Sequence, residues 1–237
     1  MPIWTLMAWM GMMMGSLAAP EVQDATDGDR QRMPELPRPL TQDERQILTA
    51  YSWDYRVGDE MGIWVSVDEQ VFRLVKDGEV LWEVLCATAE RGTGSQMNSY
   101  KTPLGWHSIR RKTGDGAPWG QVFRGGVPTG EIWKPGMEVE EDLVLTRILF
   151  LHGEEPGRNQ GGNVDSYRRY IYIHGTNGED VIGTPSSRGC IRLLNDDVIE
   201  AYDRIPVGTM MLISEINYDT DEDAEPSPLP RLSNNDY

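Results

Sequence analysis

The stretch that most constrains this chain runs from Ile171 to Arg192, IYIHGTNGEDVIGTPSSRGCIR. It follows on a β-type apolar run, Tyr170 to Ile173, which ends by delivering His174. The chain then crosses a loop rich in Gly, Thr, Ser and Pro and returns as Ser187-Arg188-Gly189-Cys190, followed by Ile191 and Arg192. Any fold of this sequence must therefore bring an imidazole and a thiol to the two mouths of one polar loop. Those are the parts of a cysteine nucleophile and its general base. Glycines next to both residues, Gly175 and Gly189, allow a substrate backbone to approach closely.

The order His174-Gly175-Thr176, then Ile182-Gly183-Thr184-Pro185, then Ser187-Arg188-Gly189-Cys190-Ile191-Arg192 resembles the YkuD-type L,D-transpeptidase catalytic domain of bacterial cell-wall enzymes. Fifteen residues, 175 to 189, separate the histidine from the cysteine, as is usual in that family. One position departs: the family motif reads Ser-His-Gly-Cys, and this chain carries Arg188 in place of that histidine. The resemblance extends over about Met61 to Ser214 and implies a mainly β, sandwich-like fold with one or two short helices, flanked by disordered acidic tails.

Cysteine usage agrees with a reactive thiol. Cys86 lies in the apolar run VLWEVLCATA, where an inert buried thiol is expected, whereas Cys190 sits among glycine, serine and arginine. That electropositive setting predicts a lowered thiol pKa. Pairing of the two as a disulfide is the structural alternative.

Charge narrows the partners. The net formal charge is −16, and most of the excess lies at the ends: residues 21–60 hold ten acids and five bases, residues 215–237 seven acids and one base. No basic footprint for nucleic acid is present. Residues 1–19 contain no charged side chain and end in small residues, which predicts a secretory signal or an N-terminal anchor and places the remainder in the periplasm or cell envelope. Residues 20–60 read as a Pro-rich, acidic linker with a short helix starting at Thr41, its first turn carrying Asp43 and Glu44. The resemblance implies a catalytic domain over residues 61–214, and residues 215–237 read as an acidic, disordered tail.

Within the domain, Asp77-Gly78 between two β-type runs predicts a tight hairpin. Pro103 and Gly105 in Lys101-Thr102-Pro103-Leu104-Gly105 preset a turn. After Cys190, Asn195 is the expected N-cap of a helix with Val198, Ile199, Tyr202 and Ile205 on its apolar face, stopped at Pro206. About eight strands are expected, as an all-β sandwich capped by a helix.

The resemblance implies roles by position. Cys190 is the nucleophile and His174 the general acid/base, oriented by the backbone carbonyl of Gly175; the backbone N–H of Gly189 or Cys190 faces the oxyanion. Arg192 either supports the site through a salt bridge or clamps a stem-peptide carboxylate. Arg188 tunes the thiol as a permanent cation but cannot shuttle protons. Ser187 and Thr176 line the substrate or form turns. His107 and His152 are expected to be structural. No metal or cofactor signature occurs. The implied reaction is acyl transfer from a peptidoglycan tetrapeptide stem, with release of D-alanine, to an amine of another stem or of an envelope lipoprotein; carbapenem acylation is also implied. A hydrolase using the same pair, or a catalytically silent wall-binding module, are the alternatives.

Overall fold

A computed structural model of the protein describes residues 36–215. The leader or anchor expected over 1–19, most of the first half of the linker, and the acidic tail lie outside these residues. The described chain runs β1 (Arg38–Pro39), α1 (Gln42–Ala50), α2 (Trp53–Arg56), β2 (Gly62–Ser66), β3 (Val71–Lys76), β4 (Glu79–Leu85), β5 (Gly105–Thr113), β6 (Gln121–Arg124) and β7 (Val127–Ile132). It continues through β8 (Val144–Gly153), β9 (Tyr172–Gly175), a single 3-10 turn (Glu179–Val181), β10 (Ile191–Leu193), α3 (Asn195–Arg204) and β11 (Met210–Ser214). The architecture is mainly β, with more strands than composition alone suggests, because the Gly-punctuated stretch after residue 120 pairs as β6 and β7.

The strands form one mixed sheet in the order β1-β4-β3-β2-β11-β5-β8-β6-β7, with β9 pairing on β8 and β10 on β9. The β3–β4 hairpin turns on Asp77 and Gly78, both at positive φ (51° and 75°), as the sequence predicts. The sheet curls until the chain after β4 meets β10: Ala87 and Arg192 exchange backbone hydrogen bonds, both 2.9 Å. Inside the curl lies one core of alternating residues, among them Ile63, Val65, Phe72, Leu74, Ile109, Leu149, Ile173, Ile191, Met211 and Ile213. Helix α3 closes it with Val198, Ala201, Tyr202 and Ile205. Its N-cap is Leu194, not Asn195; Asn195 is the first helical residue and turns its side chain inward.

The segment expected to be a linker is, from residue 36 onward, part of the fold. Thr41 and Glu44 form a reciprocal capping box at the start of α1. Leu40, Leu48, Tyr51, Trp53 and Val57 then cover the outer face of the sheet at Trp64, Val75, Val80, Trp106 and Leu212. Strand β2 is consequently buried on both faces. Ions fasten this strap: Arg38 bridges Glu44 and Glu83 at 2.8 Å each, and Arg73 pairs with Glu83 and, at 2.7 Å, with Glu69. The Arg73 guanidinium also lies 4.6 Å over the Trp64 ring.

Candidate active site

The site is built by two short parallel strands. β9 and β10 pair with Ile191 opposite Ile173, Arg192 opposite His174 and Leu193 opposite Gly175. Side chains alternate across a sheet, and paired parallel residues share a face. Ile173, Ile191 and Leu193 enter the core, so Tyr172, His174, Cys190 and Arg192 are left on the other face. There Cys190 packs against the cluster of Phe123, Ile148, Phe150 and Tyr172.

His174 is buried, and its Nδ1 is 2.7 Å from the carbonyl oxygen of Gly175. A carbonyl only accepts, so Nδ1 carries the proton and Nε2 is the basic nitrogen. Burial lowers the imidazole pKa; the Gly175 hydrogen bond and the charge of Asp142 work against this, and Arg192 reinforces it. The resting ring is neutral. Gly175 itself is held from behind. Asn195 donates to the Thr176 carbonyl at 2.8 Å and accepts from the Thr146 hydroxyl at 2.5 Å, and a Cβ on Gly175 would fall 2.3 Å from the Asn195 Oδ1. The Glu179 carboxylate accepts from both the backbone and the side-chain amide of Asn195, at 2.7 and 2.9 Å, and so caps α3.

Cys190 is a free, half-buried thiol; Cys86 is a free thiol wholly within the core, with no disulfide between them. The Cys190 Sγ donates to the Tyr170 carbonyl at 3.4 Å. Its setting corrects the expectation of a lowered pKa. Burial pushes the thiol up to about 11; the Tyr172 backbone N–H, Arg192 and Arg169 pull down, but less, and Asp142 adds to the rise. Desolvation outweighs local charge here. The resting thiol and the resting imidazole, on one face of the β9–β10 pair, are thus both neutral.

The loop that carries the thiol is locked in place. Thr102 of the Thr-Pro turn donates to the Gly189 carbonyl at 3.1 Å and accepts from the Ala89 N–H at 2.9 Å. Gly189 has φ +123°, and a Cβ there would lie 3.1 Å from the Lys101 carbonyl oxygen and 3.2 Å from Ile171 Cδ1. Its N–H donates to the Ser187 hydroxyl oxygen at 3.1 Å and so is already engaged, unlike the free donor expected of it. Ser187 is buried and donates in turn to the Cys190 carbonyl at 2.6 Å. Thr176 is also buried; its hydroxyl accepts from Gly178 N–H at 3.0 Å. Both hydroxyls are engaged in holding turns.

Arg192 is 4% exposed and spends its guanidinium inside the protein, on Asp142 at 2.9 Å and Ser186 at 2.6 Å. It supports the site and is not free to clamp a substrate carboxylate. Arg188 is exposed; the cations acting on the sulfur are Arg192 and Arg169, so the tuning expected of Arg188 falls to them. His107 is fully buried between the Gly105 carbonyl (3.0 Å) and the Ser166 hydroxyl (2.9 Å), with burial lowering its pKa to about 4. His152 contacts Arg110 and Gln160. Neither is placed beside the thiol by any contact.

Sequence reasoning missed Asp142, which lies 50 residues from its partner Arg192, and Tyr172. Tyr172 was legible in principle, being two residues before His174 on an alternating strand. Its backbone N–H acts to lower the Cys190 thiol pKa, its ring meets Phe150 edge-on at 4.5 Å, and its buried hydroxyl has no partner among the described residues.

Comparison with known proteins gives the family. The YkuD family model, described as the L,D-transpeptidase catalytic domain, matches residues 60–213. The putative L,D-transpeptidase YqjB of Bacillus subtilis (strain 168) is 48% identical over 54 residues, 23% of this chain and 31% of that protein. The probable L,D-transpeptidase ErfK/SrfK of Salmonella typhimurium is 51% identical over 113 residues, 48% of this chain and 33% of that protein. The chain thus spans about a third of the length of these curated relatives. Among solved structures, the L,D-transpeptidase of Xylanimonas cellulosilytica DSM 15894 aligns with a TM-score of 0.42 at 16% identity, covering 65% of this chain and 60% of that one. With its catalytic-domain profile matched over well more than half its length, the chain belongs to the YkuD family of L,D-transpeptidase catalytic domains.

Proposed function

We propose that the protein is a cell-wall L,D-transpeptidase that transfers an acyl group through Cys190. The observation that carries this is the tautomer of His174. The Gly175 carbonyl takes Nδ1–H at 2.7 Å, so Nε2 is left as a base on the sheet face that also presents the thiol. In the first step the sulfur attacks the carbonyl that joins an L-centre of the stem's diamino acid to the terminal D-alanine, and the S–H proton passes to Nε2. The backbone N–H of Cys190 receives the oxyanion. The C–N bond breaks, Nε2–H protonates the departing D-alanine amine, and a thioester remains. An amine of a second stem or of an envelope lipoprotein then attacks. Its proton goes to Nε2, the C–S bond breaks, and the thiol is restored. The substrate lies in the envelope, so this function requires the export expected from residues 1–19.

The test is intact-mass spectrometry of the protein with a carbapenem, beside Cys190→Ala and His174→Gln, followed by muropeptide donors with and without an amine acceptor. One adduct in the parent, none in Cys190→Ala, and a cross-linked product establish the transferase. Release of D-alanine with only hydrolysed stem would assign a carboxypeptidase. A folded parent that forms no adduct would make this a silent wall-binding module, with Arg188 in place of the family histidine as the first position to revert.

A further inference from the structure

The departure at Arg188 leaves a residue that the acyl-transfer chemistry does not use. Its side chain lines an open pocket of about 360 Å³ together with Glu90, Arg91, Tyr100 and Ser187. The pocket shares the Ser187-Arg188 wall with the loop that holds the nucleophile, whose carbonyl is bonded to the Ser187 hydroxyl. Two arginines line it, and among the described residues neither takes part in a salt bridge. In a chain of net charge −16, two cations that line one pocket and make no ion pair among the described residues form an unusual patch.

The backbone under this patch is fixed although the side chains are exposed. Glu90 N–H donates to the Ser187 carbonyl at 3.0 Å, and the N–H groups of Ser186 and Ser187 both donate to the Thr88 carbonyl, at 2.9 and 2.8 Å. Ala89 and Ser187 form a parallel bridge. The base of Arg91 is therefore held at a set distance from that of Arg188, and both from Cys190. The Arg91 guanidinium is further positioned 5.2 Å over the Tyr100 ring. With Glu90 on the same wall, the pocket carries a formal charge of +1, which a single carboxylate neutralises and a dianion overshoots. Guanidinium groups bind carboxylates through paired, directional hydrogen bonds.

We propose that Arg91 and Arg188 form a carboxylate subsite on the Ser187-Arg188 segment that leads into the nucleophile, which takes the free C-terminal carboxylate of the stem peptide. This rests on the transpeptidase function proposed above, since the scissile bond then lies one residue from that terminus. The departing D-alanine carries this carboxylate away, and an incoming amine with a neighbouring carboxylate reuses the same cations.

Binding without turnover separates this subsite from the chemistry. The Cys190→Ala protein is titrated calorimetrically with a tetrapeptide stem bearing a free C-terminal carboxylate and with the same peptide as its C-terminal amide. The acid should bind at least tenfold tighter than the amide. In the Cys190→Ala background, Arg91→Ala with Arg188→Ala should abolish that preference while leaving the amide's affinity within about twofold. Circular dichroism, and iodoacetamide labelling of the same arginine variants with Cys190 intact, report that the fold and thiol setting survive. Equal affinities for acid and amide, an acid preference that persists in the double variant, or no binding of either peptide would overturn the subsite. Displacement of the acid by inorganic phosphate at constant ionic strength would assign the pocket to anions in general and overturn its commitment to a carboxylate. If acid preference is found but the parent forms no thioester, the subsite stands and the proposed reaction falls.

Discussion

The protonation state of Cys190 makes the sharpest prediction, because the residues next to it in sequence and the burial around it in space point in opposite directions. A thiol held at about 11 is ionised at pH 7.5 to roughly 3 parts in ten thousand, against roughly a tenth for a free cysteine near 8.5. That lowers its thiolate population about 300-fold. A more basic thiolate is the better nucleophile, with a Brønsted slope of about 0.4–0.5, which returns roughly tenfold to twentyfold. Iodoacetamide should therefore alkylate Cys190 at pH 7.5 roughly twentyfold more slowly than it alkylates free cysteine. The rate should climb about tenfold per pH unit up to pH 10 without levelling off. Cys86 serves as the internal reference: it is wholly buried, its pKa is pushed up by desolvation, and it should stay unlabelled until the protein unfolds.

His174→Gln completes the experiment. If the resting imidazole is neutral, as its burial requires against the opposing pull of the Gly175 hydrogen bond, it contributes no charge to the thiol. Its removal should then change the alkylation rate by less than about threefold. The same variant should lose on the order of 10²- to 10⁴-fold in carbapenem acylation, where the base is needed as the sulfur attacks. Peptide-resolved mass spectrometry reads both rates. A labelling rate that levels off at neutral pH, or a tenfold fall in His174→Gln, would mean a resting thiolate–imidazolium pair and would refute the argument from desolvation.

Two further predictions concern stability. Burial alone would raise the Glu44 carboxyl, but hydrogen bonds from Arg38 and the Thr41 N–H, with the charges of Arg38 and Arg73, hold it down at about 2, against 4.5 for the free group. A depressed carboxylate stabilises the fold above the unfolded pKa and loses that contribution as pH falls through the folded one. Glu44→Gln should therefore cost about 2–3 kcal/mol at pH 7, allowing for water around Arg38, with the gap from the parent closing between pH 4.5 and 2. Urea titrations across that range check it, and a gap independent of pH would refute the ion-pair account. Tyr172→Phe removes a buried hydroxyl that has no partner among the described residues, so it should raise stability by about 1 kcal/mol. A lowered melting temperature would show that the hydroxyl is satisfied.

What the sequence makes legible, and what it hides, follows from the range of the interactions involved. The Asp77-Gly78 hairpin and the strand that carries His174 are local and read from turn chemistry and the apolar run, although β9 starts at Tyr172 and extends to Gly175. The strap did not. Its residues 36–60 are polar and Pro-rich because Arg38 and Glu44 pair with Glu83 and Arg73, which lie in strands some 30 to 45 residues away. Burial of β2 on both faces likewise erases the alternation that would have marked an outer surface. The thiol's pKa was misread for the same reason. Gly189, Arg188 and Ser187 are visible beside Cys190, but the desolvation comes from Tyr172, Phe150 and Phe123, delivered by β9, β8 and β6.

Yet the pairing of β9 with β10 ties the site to the core more tightly than either motif alone. Ile173, Ile191 and Leu193 occupy one face, and His174, Cys190 and Arg192 the other, in strict alternation. A register slip of one residue would bury the thiol and the buried salt bridge in hydrocarbon and turn two isoleucines to the outside. The apolar residues that fix this register therefore also hold the nucleophile and its base on one face. That is why Ile-x-His and Cys-Ile-Arg carry structural as well as chemical information in so few residues.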